Sequence, residues 1–281
     1  MSNQLDLTFD TPEPIDLYVE NGRGRVDIIA TDTSETTVRI TGERAEEFDV
    51  RDLDDGVGHR IAIIAPKRGG GFLGKDPHAE IVVEVPVASG LQAKVGSSDV
   101  RTQGRLGDVR VDSGSGDVSL DVVEGDTLVQ TGSGDLVAED LLGEARLKSG
   151  SGDVLVRRAE SALVVTTGSG DVRVEAARAE LAVKTGSGDT HVLSMGGEAV
   201  VNTGSGDLVV AEVGSGRVTA KTASGDVSIG VVAGTPVWTD VRTASGRLSS
   251  TLPSTGEPAP DQPYLEVRAT TASGDVTLHQ S

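Results

Sequence analysis

The chain has 281 residues, a net charge of −19, 37 Gly, no Cys and only 2% aromatic residues. The absence of Cys excludes disulfides and thiolate chemistry, the charge makes nucleic acid and anionic membranes repelled partners, and no run reaches the roughly 20 apolar residues of a membrane helix. A core nearly free of rings must be built from Val, Leu, Ile and Ala, which suits thin stacked coils better than a wide sandwich.

The first residues, Met1 to Asp10, carry neither a basic n-region nor an apolar h-region. A cytoplasmic location is therefore expected, with cell-surface association arising only through a partner. Residues 1–90 alternate apolar and polar side chains at 15–19, 26–28, 37–40, 61–63 and 81–85. That is the strand period, and it predicts irregular opening coils joined by loops at 43–58 and 67–78. Within the second loop, Gly69 to Lys75 has the spacing of a phosphate-binding loop. Its mechanism fails at Asp76, where a Ser or Thr hydroxyl should hold magnesium, and at Pro77, where a helix should begin.

From residue 91 to 281 a repeat decides the fold. A Thr or Ser followed by Gly-Ser-Gly-Asp recurs with Asp at 117, 135, 153, 171, 189 and 207, every 18 residues, and a degenerate copy ends at Asp99. Looser copies end at Asp226, at Arg247 where Arg replaces Asp, and at Asp275. After Asp153, Val154 and Val156 point one way; Leu163, Val165 and Thr167 form a second alternation before Gly168, Ser169 and Gly170 turn the chain. Each 18-residue coil thus holds two short strands with Gly-rich corners, the glycines supplying positive φ. No coil can bury its apolar face alone, so coils must stack.

Residues 175–184 favour helix by composition, yet they share the phase of 157–166, and register predicts turn plus strand. A loop insertion at 253–263, with four Pro, interrupts the late coils. The expected fold is all-β, a single-stranded β-helix or β-solenoid in one continuous domain. The sequence leaves its hand open, with right-handed favoured.

These residues resemble a family of bacterial β-strand-repeat proteins of unknown function labelled putative adhesins. The likeness rests on the serial Gly-Ser-Gly-Asp-Val corners and on the lead-in from Ile81 to Val87 with Leu91. It implies a β-helix-like fold and supplies no catalytic residues.

The Asp column is the main candidate site. Carboxylates stacked about 5 Å apart repel by roughly 1–3 kcal/mol per pair if bare, so something must offset them. One reading is structural: Asp99, Asp117, Asp135, Asp153, Asp171, Asp189, Asp207, Asp226 and Asp275 accept hydrogen bonds from corner N–H groups or Ser hydroxyls. The other is calcium at Asp117, Asp135, Asp153, Asp171, Asp189 and Asp207, as in calcium-binding β-rolls. Two departures count against calcium. No residue separates Gly from Asp, and the opposite corner carries only scattered acids at Asp126, Glu144, Glu180 and Glu198.

His59, His78, His191 and His279 have no metal or triad spacing. A polysaccharide-cleaving β-helix would want paired acids in a groove with aromatic or basic residues, which this uniform repeat lacks. The expected function is therefore a non-catalytic scaffold or adhesin-like interaction module, without cofactor, for a protein partner. The alternative is a self-assembling, filament-forming solenoid, because solenoid ends expose unpaired edges and the coil at 271–278 shows no cap.

Overall fold

A computed structural model describes residues 3–54, 58–66, 76–253 and 263–281. Among them every element is a β-strand except the short 3₁₀ turn Ala45–Glu47. The chain divides into two compact units, Met1–Gly143 and Glu144–Ser281.

In the first unit, one 16-residue strand, Asp16–Thr31, spans a whole coil and buries Leu17, Val19, Val26 and Ile28. It lies parallel to Gly90–Gln103 on one side, with Asp16 opposite Gly90 and Ile29 opposite Gln103. Its other side carries His59–Ile64 and His78–Pro86, also parallel. Beyond these the growth is antiparallel: Glu35–Gly42 on His78–Pro86, Asn3–Asp10 on Glu35–Gly42, and Asp49–Asp54 on His59–Ile64.

The irregular opening coils expected over 1–90 are therefore only partly coils. Residues 32–34 connect Thr31 to Glu35 too briefly for a parallel crossover, so the returning strand can pair only antiparallel. The loop expected at 43–58 also contains the strand Asp49–Asp54. That acidic edge strand is held by backbone pairing, which composition does not reveal. The look-alike phosphate loop at 67–75 and most of the insertion, 254–262, lie outside the described residues.

The regular coils follow. Val109–Ser113 stacks on the strand that holds Leu91, and Thr127–Thr131 stacks on Val109–Ser113. On the second side, Val118–Val123 stacks on Val100 and Arg101, and Leu136–Leu141 on Val118–Val123. The degenerate copy of the corner, Gly96 to Asp99, lies within the single strand Gly90–Gln103.

The second unit is two columns of parallel strands. Ala145–Ser149, Leu163–Thr167, Leu181–Thr185, Glu198–Ser205 and Gly216–Ser224 form one. Val154–Ala159, Val172–Ala177, Thr190–Met195, Leu208–Val213 and Val227–Val231 form the other. The helix-favouring stretch 175–184 is strand, turn and strand, as register requires. Val154, Val156, Leu163, Val165 and their counterparts one coil on, Val172, Val174, Leu181 and Val183, are all buried. They form a ladder of interdigitated aliphatic side chains worth roughly 1.5–3 kcal/mol each.

Above residue 231 the coils stop following chain order. Gly216–Ser224 pairs with Leu265–Ser273, and Val227–Val231 with Val276–Gln280. The intervening strands Val237–Ser245 and Leu248–Ser250 pair with the far side of those same two strands. Coil 265–280 is thus inserted beneath coil 237–250. The coil expected to be last and uncapped is covered on both sides.

Burial explains the order. Val267, Ala269, Val276 and Leu278 face inward and are 0–2% exposed. The residues opposite them in the end coil are Thr239, Val241, Leu248 and Ser250. The more apolar coil takes the interior place and the more polar one becomes the terminal cap that a repeat array needs.

Candidate functional site at the aspartate corner

The corner is built from three kinds of residue, each with its own task. In four of the corners the Thr or Ser that opens the turn is buried, and its hydroxyl oxygen accepts from the N–H of the second Gly. The bonds are Gly134 to Thr131 at 3.1 Å, Gly152 to Ser149 at 2.8 Å, Gly170 to Thr167 at 3.1 Å and Gly188 to Thr185 at 3.0 Å. This is a side-chain turn of the Ser/Thr type.

The glycines are required by close stacking. A Cβ on Gly134 would lie 2.1 Å from the Gly116 carbonyl oxygen, and one on Gly170 would lie 2.0 Å from that of Gly152. Positive φ, which the sequence suggested for these glycines, belongs instead to Gly225 and Gly274 in the looser late corners. The regular corner turns with ordinary backbone angles and needs Gly for want of room.

Each Asp then clamps the coil above it. In the first unit Asp117 N–H donates to Asp99 Oδ1 at 3.1 Å, and Asp135 N–H to Asp117 Oδ1 at 3.0 Å. In the second unit the same bond joins Asp171 to Asp153, Asp189 to Asp171, Asp207 to Asp189 and Asp226 to Asp207, all at 2.8 Å. The following residue completes the clamp: Val154 N–H donates to the Asp171 carbonyl at 2.9 Å and Val172 N–H to that of Asp189 at 2.8 Å. Both backbone groups of each upper Asp are thereby satisfied by the coil below. The opposite corner forms this bond at Asp126 N–H to Asp108 Oδ1, 2.8 Å.

The ladder follows spatial order. Asp275 N–H donates to Asp226 Oδ1 at 2.7 Å, and Arg247 N–H to Asp275 Oδ1 at 2.8 Å. This accounts for the one basic residue in the series. Arg247 lies on the outermost coil among the described residues, where none of their N–H groups continues the ladder, so nothing there demands an Asp.

A second arrangement escaped the sequence. Glu266 is 8% exposed; its Oε2 accepts from Arg217 Nε at 2.8 Å and its Oε1 pairs with Arg268 at 2.6 Å. Arg217 also reaches Glu198 at 3.5 Å, and the Arg268 guanidinium lies 5.6 Å from the Trp238 ring centre. The hydrogen bond from Arg217, assisted by Arg268, holds the Glu266 carboxyl below its ordinary range. Glu198, Arg217, Glu266 and Trp238 are successive partners across four coils. Their adjacency depends on the inserted coil, so sequence spacing carries no trace of it.

In the first unit an open groove of about 360 Å³ is lined by Glu20, Asn21, Gly22, Ala65, Pro66, Asp76, Lys94 and Gly96. Burial and the hydrogen bond to Glu20 push the neighbouring Tyr18 up to about 12. His59 bonds Asp52 at 2.6 Å, while His78, His191 and His279 stand on other strands. Among the described residues, no three His, Asp or Glu side chains group to hold a metal ion, and no helix is long and apolar enough to cross a membrane.

Comparison with known proteins gives one family. Residues 14–192 and 162–279 match the sequence profile of the family described as Toastrack DUF4097. No curated protein matches the chain. Among crystal structures, a putative lipid binding protein from Parabacteroides distasonis is 13% identical, with 98% of this chain and 96% of that one covered, at a TM-score of 0.48. A putative adhesin from Bacteroides fragilis is also 13% identical over 98% and 97%, at 0.42. One from Parabacteroides merdae is 12% identical over 99% and 95%, at 0.40.

Proposed function

The chain belongs to the Toastrack DUF4097 family, and from that premise we propose that it is a non-catalytic solenoid scaffold that engages a protein partner. The observation that carries this reading is the ladder. Its serial carboxylates, the residues a hydrolase would use as acid and base, each accept a backbone N–H of the next coil. They hold the stack, and the chain's product is a rigid surface.

The contact surface of this reading is the end coil and its approach, where Trp238, Leu248 and Tyr264 are 50%, 56% and 46% exposed. Exposed aromatic and aliphatic anchors are what a protein interface buries at its centre. The same coil disfavours filament growth, because Arg247 offers no acceptor to a further coil and Thr239 and Ser250 make the inward phase polar.

The test uses the intact chain cross-linked in extract of its native host. The same proteins should be captured by the parent and by Asp171→Asn, and lost with Trp238→Ser combined with Leu248→Ser. Equal capture by all three would reject this surface, and a mass in light scattering that grows with concentration would put filament formation first.

A further inference from the structure

The spatial order of the coils creates a feature that the chain order hides. On the column of the second unit that begins with Ala145–Ser149, one outward position reads Lys148, Thr166, Lys184, Asn202, Lys221, Thr270 and Arg242, each opposite the next. A cation stands on every second coil, with a hydroxyl or amide between. In chain order Arg242 would precede Thr270 and break the alternation; the inserted coil restores it. Stacked strands lie about 4.8 Å apart, so the cations repeat at roughly 10 Å. Lys148, Lys184 and Lys221 are the only lysines of this unit. All three are exposed, and no ion pair is formed by any of them among the described residues. Arg242 pairs with Asp240 at 3.2 Å.

We propose that this column binds one linear, carboxylate-bearing polysaccharide lying along the stacking axis. The inference goes beyond the protein-partner reading and stands on a sheet face that reaches the end coil only at Arg242. Three observations select this ligand class. The cation spacing is regular, as a polymer with regularly spaced carboxylates requires, and Thr166, Asn202 and Thr270 offer hydrogen bonds to hydroxyls between them.

Beside the middle of the column, two residues back along three successive strands, lies a short apolar strip of Val164, Ala182 and Val200, suited to the C–H face of a sugar ring. The five strands from Ala145–Ser149 to Gly216–Ser224 contain no aromatic ring, and Trp238 at the far end of the column is a single ring, so a single-stranded nucleic acid would find no continuous stacking platform. The stripe is also one column wide, which fits a slender polymer better than a lipid surface.

The chain's negative charge does not forbid this. Glu180, the acid on the same strand line as Lys184, is four residues away, about 13 Å along a strand. The screening length at physiological salt is about 8 Å. Glu198 and Glu266 are already paired with Arg217 and Arg268.

Affinity electrophoresis of the intact chain through gels containing polygalacturonate tests the proposal, with uncharged dextran, inorganic polyphosphate and polyuridylate as comparators. Polygalacturonate should retard the parent, and the comparators should do so at least tenfold more weakly. Lys184→Gln with Lys221→Gln should weaken retardation at least tenfold. Arg173→Gln, on the other strand column, should not, and melting curves should show all three chains folded. Absence of retardation by polygalacturonate at low salt would overturn the proposal. So would equal retardation by polyphosphate or polyuridylate, or an equal effect of Arg173→Gln. Should the double variant fail to fold, the parent's ranking of the four polymers decides.

Discussion

Replacing Asp171 separates the two things its carboxylate contributes, a hydrogen-bond acceptor and a charge. Its Oδ1 accepts from Asp189 N–H at 2.8 Å, while its own N–H and carbonyl are held by Asp153 and Val154. Asp171→Ala therefore removes one charge-assisted bond, worth about 1.5–3 kcal/mol. It also removes repulsion from carboxylates one coil above and below. At about 5 Å in a water-like dielectric that repulsion is roughly 0.8 kcal/mol per neighbour, and salt screens it further.

The net expectation for the Ala variant is a loss of about 1 kcal/mol, or roughly 2–4 °C in Tm for a chain of this size. Asp171→Asn keeps an acceptor of neutral strength, about 1 kcal/mol, and sheds the same repulsion, so it should melt within about 1 °C of the parent. Thermal melts at low and high NaCl would measure this, with added salt raising the parent more than the Asn variant. If Asn is as damaging as Ala, or a chelator lowers the parent's Tm, the column needs its charge and holds a cation. The hydrogen-bond account of the ladder would then be wrong.

Gly170→Ala should cost about 3 kcal/mol or more, since its Cβ would meet the Gly152 carbonyl oxygen at 2.0 Å and neither backbone can yield. The exposed Ser169→Ala should be near neutral, and denaturant titration showing the two alike would refute the close-stacking account. Glu266→Gln should matter most at neutral pH. A carboxyl whose folded pKa is depressed adds stability above its unfolded value and loses it as pH falls through the folded one. The gap in Tm between parent and variant should therefore close below the ordinary value of 4.5; a gap unchanged at pH 3 would show that the two arginines do not act through charge.

The period, the two strands per coil and the buried positions were legible because an 18-residue repeat leaves one consistent phase. The ladder's polarity was half legible: corner hydrogen bonding was expected of the Asp residues, though not that each reaches the coil above. The glycines misled, because positive φ and close backbone approach leave the same residue in the sequence.

What could not be read was order in space. Leu265 sits between Gly216 and Val237 because of relative burial, a comparison between coils that no local pattern contains. Arg247 was the one available sign, an end-of-ladder residue in mid-sequence. The antiparallel strands of the first unit were similarly hidden, since alternation announces a strand but not the direction of its neighbour.

The insertion of coil 265–280 also bears on how the chain acquires its fold. Until that segment exists, coil 237–250 lacks the neighbour it finally rests on, and Val227–Val231 has a bare edge waiting for residues 49 positions further on. Assembly cannot simply wind upward one turn after another. It must either leave coil 237–250 detached until its support arrives or pair it early and then displace it. Closing so long a loop is slow, and the completed slot is secured on both sides, so unwinding from the C-terminal strand must break two interfaces at once. The cap thereby works as a latch, set late and hard to open by pulling on coil 265–280.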